Sequence, residues 1–173
     1  ERIEIGLRLR RMTDRYDACL LIDGDIIATI AVDADGVHLG KRDCPPQEAR
    51  RILGNDYIIG YTVNSLDDLP RALAANIDYI GVGPYRDTQT KALLAPILGL
   101  EGISQIAQQV KETNRQFIVP QIVAIGGIRP EDAETLFSNK DIDGIAVSGA
   151  IEHATDMAHT VSQLLRDTSS FPN

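Results

Sequence analysis

Residues 122–127 read IVAIGG, a short apolar run that ends in two glycines, and this pattern decides the fold class of the chain. Similar runs, each ending in glycine or a small polar residue, occur at residues 19–23, 36–40, 58–62, 79–83 and 144–148. The runs are apolar almost throughout and rich in β-branched residues, which is typical of strands buried on both faces of a parallel sheet. We therefore expect six parallel strands.

Amphipathic segments separate the runs and carry the signals with which helices begin and end. Residues 46–53 open with proline and stop before Gly54, and Ser65 precedes a segment with two aspartates in its first turn. The predicted helices cover residues 1–14, 46–53, 66–75, 102–113, 130–138 and 155–166. Residues 25–33, between the first two strands, are short for a helix.

Most strand starts lie about 20 residues apart, the length of a βα unit with short loops. Units of this size build either a doubly wound sheet or a (β/α)8 barrel. No linker interrupts the chain, so we expect one domain over residues 1–173. The sequence begins within a helical pattern. A barrel interpretation therefore leaves the first β-α-β segment missing at the N-terminus.

Composition and charge limit the classes of function. The formal net charge is −8, which disfavours nucleic-acid binding because such proteins need a basic face. No apolar run approaches the roughly 20 residues of a membrane helix, and no signal peptide is visible. Cys19 and Cys44 form neither a disulfide framework nor a zinc motif, so we expect a reduced, cytoplasmic compartment. We expect a monomer or a homodimer.

The ends of the last two predicted strands suit a phosphate group. Gly126 and Gly127 follow one strand, and Ser148 and Gly149 follow the other. Backbone N–H groups after the last two strands of a (β/α)8 barrel commonly hold phosphate. Either glycine motif alone could simply turn the chain, but together they favour a phosphate site.

Residues 88–91 (TQTK) lie in a loop that is longer than its neighbours. Thr88 and Thr90 offer hydroxyl donors, Gln89 lies between them, and Lys91 adds a mobile positive charge. These groups suit a polyanion, although a solvated surface loop has the same composition. The position after a strand end favours the functional interpretation.

Acidic residues follow the first two strands. Asp23 and Asp25 lie at the end of the first run, and Asp43 lies just beyond the second. Carboxylates at neighbouring strand ends could share a Mg²⁺ ion that also contacts phosphate oxygens. Asp43 could instead cap the helix that follows it. His38, in the middle of a strand, has the pattern of a packed core residue.

Taken in order, these motifs resemble the thiamine phosphate synthase family. A family run like ADGVHLGQxD stands here as residues 34–43, ADGVHLGKRD. A run like DYVGxGP, followed by TxTK, stands as residues 78–84, DYIGVGP, and residues 88–91. Residues 98–102, 123–128 and 143–147 also match. The resemblance extends from about residue 20 to residue 151 and implies a TIM (β/α)8-type barrel that lacks its first β-α-β segment.

The resemblance implies a Mg²⁺-dependent transferase that joins hydroxymethylpyrimidine diphosphate to thiazole phosphate, giving thiamine phosphate and pyrophosphate. Small phosphorylated molecules are thus the implied partners. The implied roles are Mg²⁺ binding for Asp43, pyrimidine binding for Thr62, thiazole-phosphate binding for Thr88, Thr90, Gly127, Ser148 and Gly149, and a catalytic pyrophosphate contact for Lys91. Gln89 belongs to the same substrate-binding loop.

Three positions depart from the family pattern. Asp23 and Gly24 replace an Asn-Asp pair in which the Asn contacts pyrophosphate and the Asp binds Mg²⁺. Asp23 is therefore the predicted substrate-binding residue at this turn, and Asp23 or Asp25 could substitute for the lost Mg²⁺ ligand. Lys41 replaces a Gln, and the family's second strand, with its pyrophosphate-binding Arg and Lys, is not in the sequence. One alternative is a related thiazole tautomerase, whose essential His corresponds to Asn64 here. The other alternative is an inactive phosphate-binding fragment.

Overall fold

Six short strands alternate with helices along the chain, and their order agrees with the sequence prediction. The computed structural model of the protein describes residues 1–87, 95–113 and 119–165. The strands are β1 (Leu21–Asp23), β2 (Gly36–Leu39), β3 (Ile58–Val63), β4 (Tyr79–Val82), β5 (Gln121–Ile125) and β6 (Gly144–Ala146). The helices are α1 (Arg2–Arg15), α2 (Ile26–Val32), α3 (Pro46–Leu53), α4 (Leu69–Leu73), α5 (Gly99–Thr113), α6 (Ala133–Phe137), α7 (Gly149–Glu152) and α8 (Met157–Leu165).

The strands follow one another in the sheet in chain order, β1-β2-β3-β4-β5-β6. The pairs β1–β2, β2–β3 and β5–β6 are parallel. The sequence prediction of an α/β fold with six parallel strands is therefore confirmed. The chain order excludes the doubly wound alternative, in which the strand order reverses at a switch point.

Local differences from the predicted elements have identifiable causes. The connection between β1 and β2 is helical although it is short. Asp25 caps this helix, α2, because its carboxylate accepts a hydrogen bond from the Ala28 amide at 2.9 Å. Two predicted helices begin instead with 3-10 turns, Leu66–Asp68 before α4 and Pro130–Asp132 before α6. Such turns are frequent at helix starts. At the first of them, Ser65 and Asp68 form the capping box.

The contacts within the chain group into two compact units. Unit 1 comprises Glu1–Thr62 and Pro70–Ile80, and unit 2 comprises Val63–Leu69 and Gly81–Asn173. In unit 1, the buried side chains include Ile22, Val32, Val37, Ile59 and Tyr61.

Helix α1 of unit 1 packs through a glycine and not through its large apolar residues. Gly6 is buried, and a Cβ at this position would lie 2.7 Å from Cγ2 of Val32. The large apolar residues Ile5, Leu9 and Met12 of this helix are exposed. The helix therefore contacts α2 by close backbone approach.

In unit 2, helix α5 buries one face against the strands. Ile103, Ile106, Ala107 and Val110 are buried, at the spacing of three and four residues that aligns side chains along a helix. Ile122 and Ala124 of β5 are also fully buried. Among the residues that the structure describes, no helix has the length and apolar character needed to cross a membrane.

An aspartate precedes every second strand and binds the start of the strand before it. The Asp35, Asp78 and Asp143 carboxylates accept hydrogen bonds from the amides of Leu20, Ile59 and Ile122, at 2.6, 2.7 and 2.7 Å. The same three aspartates return their own amide protons to the carbonyl oxygens of those residues, at 2.8 to 2.9 Å. We call this reciprocal pair of bonds the aspartate clasp. It sets the register at the N-terminal ends of the strands.

Arginines complete the two clasps of unit 1. Arg10 donates to Asp35 at 2.7 Å. Arg50 donates to Asp78 at 2.7 Å and also to the carbonyl oxygens of Tyr57, Gly54 and Asn76. The Leu20 amide and then the Arg10 guanidinium lower the pKa of Asp35. Each charged hydrogen bond of this kind contributes about 1.5–3 kcal/mol, and the lower part of that range applies to a partly exposed carboxylate.

We predict that Asp35→Asn lowers the free energy of unfolding at pH 7 by about 1–2 kcal/mol, because the amide lacks the charge that strengthens both bonds. The folded-state pKa of Asp35 lies below its unfolded value, so its stabilising contribution is present above the unfolded pKa of about 3.9. It is lost as the pH falls through the folded value. Urea unfolding at pH 7, 5, 4 and 3 should therefore show the difference between variant and wild type shrinking below about pH 4.

Glu112→Gln, which alters an exposed residue of α5, serves as the control for that series. An equal loss for Asp35→Asn at pH 7 and pH 3 would contradict the charged clasp.

Candidate active site

The end of β1 places Asp23, Gly24 and Asp25 in one turn of unit 1. Asp23 is exposed and lies opposite His38 in the parallel register. Gly24 has φ +71°, and its amide donates to the His38 carbonyl oxygen at 2.8 Å. Asp25 binds Ala28 and also Arg2, at 2.7 Å, and these two contacts, the Ala28 amide first, lower its pKa. Asp25 therefore caps α2 and forms an ion pair with α1.

Asp43 closes the turn after β2. Its carboxylate accepts a hydrogen bond from the Gly40 amide at 2.7 Å, and its own amide donates to the Gly40 carbonyl oxygen at 3.2 Å. The N-cap of the next helix is Pro45, so the alternative that Asp43 caps α3 is wrong. A Cβ at Gly24 would lie 3.1 Å from both carboxylate oxygens of Asp43. The two strand ends therefore meet at this carboxylate.

The acidic residues of this region do not form a multi-ligand metal centre among the residues that the structure describes. Within residues 1–87, 95–113 and 119–165, no group of three or more His, Cys, Asp or Glu side chains has the arrangement of a metal site. Gly24, which lies beside the Asp43 carboxylate, contributes no second acidic side chain to this turn. The predicted Mg²⁺ site stays a prediction.

Thr62 lies near the end of β3 and belongs to a hydrogen-bonded chain that the sequence did not reveal. Its hydroxyl lies 2.8 Å from Nε2 of His38, and Nδ1 of His38 lies 2.8 Å from the Tyr79 hydroxyl. The rings of His38 and Tyr79 are stacked, with centroids 5.5 Å apart. His38 therefore has polar partners and is not the packed core residue that its strand position suggested.

In unit 2, two glycines make the turn that follows β5. Gly127 has φ +69°, and a Cβ at this position would lie 2.6 Å from the Asp87 carbonyl oxygen. The amides of Tyr85 and Arg86 donate to the carbonyl oxygens of Ile125 and Gly126, at 2.8 and 3.0 Å. The segment after β4 thus runs directly against this turn, and only glycine at position 127 permits that approach.

Ser148 and Gly149 follow β6, beside the same turn. Ile125 of β5 pairs with Ala146 of β6, so both strands end at the same level of the sheet. Ser148 is exposed, and α7 starts at Gly149. The structure thus brings the predicted phosphate residues Gly127, Ser148 and Gly149 to adjoining strand ends.

An ion pair that the sequence analysis missed anchors the segment after β4. Arg86 binds Asp132 through two hydrogen bonds of 2.7 Å, and Asp132 also accepts from the Arg129 amide at 2.9 Å. The Asp132 side chain is only 7% exposed. Residues 84–87 lead into the predicted TQTK loop, so this ion pair fixes the start of that loop beside the Gly127 turn.

Thr88, Gln89, Thr90 and Lys91 lie outside the described residues. The Asn64 amide group donates to the Gly83 carbonyl oxygen, and the Asn64 backbone N–H donates to Asp68 at 2.9 Å. Asn64 therefore connects the ends of β3 and β4. An amide in this position does not provide a general base.

A family model and similar proteins of known name identify the same family. The family model described as thiamine monophosphate synthase matches residues 1–151. The chain is 47% identical over 151 residues to a thiamine-phosphate synthase of Phocaeicola vulgatus, covering 87% of this chain and 71% of that protein. It is 40% identical over 161 residues to the thiamine-phosphate synthase of Bacteroides thetaiotaomicron, covering 93% and 75%.

A solved structure gives the same result for the fold. Thiamine phosphate pyrophosphorylase from Pyrococcus furiosus superimposes with a TM-score of 0.81 at 36% sequence identity. The match covers 95% of this chain and 74% of that one.

We predict that Gly127→Ala destabilises the protein by about 2–4 kcal/mol, because it combines a positive φ with a steric clash against backbone. Gly99→Ala is the matched control: Gly99 has φ +60°, but a Cβ there meets nothing within 4 Å. The free energy of unfolding of the control should therefore fall by only about 1–2 kcal/mol, the conformational cost of a positive φ. Thermal and urea unfolding measure both variants, and equal losses would refute the contact with Asp87.

Proposed function

This chain belongs to the thiamine monophosphate synthase family, and we propose that it joins hydroxymethylpyrimidine diphosphate to thiazole phosphate, giving thiamine phosphate and pyrophosphate. The observation that carries the proposal is the extent of the family match. It includes the acidic turns of unit 1 as well as the glycine turns of unit 2.

The proposed reaction is a substitution at the methylene carbon of the pyrimidine substrate. The thiazole nitrogen donates its lone pair to form the C–N bond. The C–O bond to pyrophosphate breaks, and the leaving group takes the electron pair. Negative charge grows on pyrophosphate, so positive groups that contact it lower the barrier most. Bond formation uses a free lone pair and needs no general base.

We assign the phosphate end of thiazole phosphate to Gly127, Ser148 and Gly149. Gly127 and Gly149 offer backbone N–H groups, and Ser148 adds an exposed hydroxyl. Support comes from the adjoining ends of β5 and β6 and from the position of these residues after the last two strands. Thr88, Gln89 and Thr90 are proposed to complete this contact from the loop that Arg86 anchors.

We assign the leaving pyrophosphate to Lys91, with Mg²⁺ held by Asp43. Magnesium is usually bound by one or two carboxylates together with substrate phosphates and water, so a site with one acidic ligand fits this ion. The ion would supply positive charge to the departing pyrophosphate. Asp23 cannot donate a hydrogen bond to phosphate, because an ionised carboxylate is only an acceptor. We therefore propose that Asp23 assists through the cation.

Two further parts of the proposal concern the barrel to which the six strands correspond and the cellular compartment. We propose that the six strands correspond to the last six strands of a (β/α)8 barrel, since they follow in chain order and the phosphate residues come after the final two. A reducing, cytoplasmic compartment agrees with Cys19 and Cys44, which are both free thiols.

A thiazole tautomerase is the second candidate, and Gly24 is the observation that favours it, because a proton transfer needs no metal ligand there. Asn64 weighs against it, since its amide group is bound to Gly83 and is no base. The test incubates the protein with both phosphorylated substrates and Mg²⁺ and measures thiamine phosphate. Formation that needs both substrates supports the synthase. Metal-independent tautomerisation would identify the isomerase, and phosphate binding without turnover would identify an inactive binder.

We predict that Lys91→Ala lowers kcat by about 10²–10³-fold with little change in the KM for thiazole phosphate, because the ammonium meets charge that develops in the transition state. Lys91→Arg should recover only part of the rate, since the larger planar group must fit the same space. Steady-state kinetics at saturating Mg²⁺ measure both variants. Lys140→Ala, at an exposed position, is the control. If the Lys91→Ala variant keeps the wild-type kcat, Lys91 has no role in the reaction.

We predict that Asp43→Asn raises the Mg²⁺ concentration needed for half-maximal activity by about tenfold or more, because a neutral amide is a weaker ligand for a hard cation. The amide oxygen can still accept the Gly40 hydrogen bond, so the turn should persist. Magnesium titrations of the rate, with unfolding curves beside them, separate ligand loss from misfolding. An unchanged magnesium requirement in a folded variant would exclude Asp43 as the ligand.

A further inference from the structure

His38 connects two hydroxyl groups on one face of the sheet in unit 1. Its Nδ1 lies 2.8 Å from the Tyr79 hydroxyl and its Nε2 lies 2.8 Å from the Thr62 hydroxyl, so each ring nitrogen has a hydrogen-bond partner. A neutral imidazole has one donor nitrogen and one acceptor nitrogen. The direction of the hydrogen bonds along this chain therefore depends on which nitrogen carries the proton.

Gly60 makes room for the tyrosine at the start of the chain. His38 lies opposite Gly60 in the register between β2 and β3. A Cβ at Gly60 would lie 2.1 Å from Cζ of Tyr79 and 2.5 Å from its hydroxyl oxygen, so the phenol lies directly over the glycine. The ring is also stacked on His38. Contacts on two sides thus hold the Tyr79 hydroxyl beside Nδ1.

The direction of the chain follows from the relative acidity of its two hydroxyl groups, since the Tyr79 phenol is a stronger hydrogen-bond donor than the aliphatic hydroxyl of Thr62. Burial, followed by the negative charges of Asp23 and Cys19, raises the pKa of Tyr79 to about 12, so the phenol keeps its proton at neutral pH. A protonated phenol next to Nδ1 can donate to it. Nδ1 then accepts, and the imidazole proton resides on Nε2, which donates to the Thr62 oxygen.

Resting on the proposed function, we propose that Tyr79 and His38 are positioning residues that make the Thr62 hydroxyl a hydrogen-bond donor to a ring nitrogen of the pyrimidine diphosphate. Because Thr62 accepts from Nε2–H, its own hydrogen points away from His38. Pyrimidine ring nitrogens are acceptors, so a hydroxyl oriented in this way recognises them. The sequence gives no sign of this arrangement, since it combines residues from three strands.

Tyr79→Phe tests the proposal, because it removes one oxygen atom and retains the ring over Gly60. We expect the KM for the pyrimidine diphosphate to rise about five- to tenfold, the scale of one oriented hydrogen bond, with the KM for thiazole phosphate unchanged within about twofold. Tyr57→Phe, in the same unit but outside this chain of hydrogen bonds, is the matched control. Equal changes in both KM values would indicate a structural role and overturn the proposal.

A double-mutant cycle shows whether Tyr79 acts through Thr62. Thr62→Val removes the hydroxyl that the chain orients, so adding Tyr79→Phe to it should cause no further rise in the KM for the pyrimidine diphosphate. Additive effects would overturn the proposed route.

Nitrogen NMR locates the imidazole proton of His38, and this measurement does not depend on enzymatic activity. The chain has 3 histidines, so a His38→Gln variant assigns the His38 signals in ¹⁵N-histidine-labelled protein. We expect a protonated Nε2 and an unprotonated Nδ1 in the wild type, and loss of this preference in Tyr79→Phe. A protonated Nδ1 in the wild type would overturn the proposal.

Failure of the proposed function and failure of the positioning role give different experimental results. If the wild-type protein forms no thiamine phosphate, the proposed function fails, whatever the NMR result. If it is active and Tyr79→Phe leaves the KM for the pyrimidine diphosphate unchanged, only the positioning role fails.

Discussion

The aspartate clasp is the interaction on which the other features depend. In a parallel sheet, the amide at the start of a strand lies beyond the last ladder bond and needs an acceptor when it is buried. Asp35, Asp78 and Asp143 each provide that acceptor for the preceding strand, and each returns its own amide to the same residue. Three copies of one interaction hold the N-terminal strand ends in register. Because strand lengths are short, this register also determines which residues emerge at the opposite ends.

The opposite ends of the strands carry the candidate chemistry. There the chain uses glycine where backbone must approach closely. Gly24 lies against the Asp43 carboxylate, and Gly127 lies against the Asp87 carbonyl oxygen. The Arg86–Asp132 pair then fixes the segment that leads toward residues 88–91. The three clasps that join strand starts and the residues of the candidate site thus lie at opposite ends of the strands, an arrangement usual for proteins built from repeated βα units.

Residues of the site differ in how far the sequence could identify them. Gly127, Ser148, Gly149 and Asp43 follow predicted strands directly, so strand prediction alone places them at the functional edge. Tyr79 and Arg86 gave no such signal. Tyr79 lies at the start of a strand, whereas the sequence placed the site at the C-terminal ends of the strands. Arg86 has the pattern of an ordinary exposed charged residue. Their roles arise from partners distant in sequence: His38 is 41 residues from Tyr79, and Asp132 is 46 residues from Arg86.

The sequence by itself determined the alternation of strands and helices, their approximate ends, the family, and the glycine and aspartate motifs. It could do so because apolar periodicity and capping residues are local properties. Tertiary structure alone decided that Asp25 serves a helix, that Asp43 serves a turn, and that Ile5 and Leu9 of α1 are exposed while Gly6 is buried. It also decided that His38 joins Tyr79 to Thr62. Such pairings depend on strand register and on the space left by Gly60, which bring together residues that no local pattern relates.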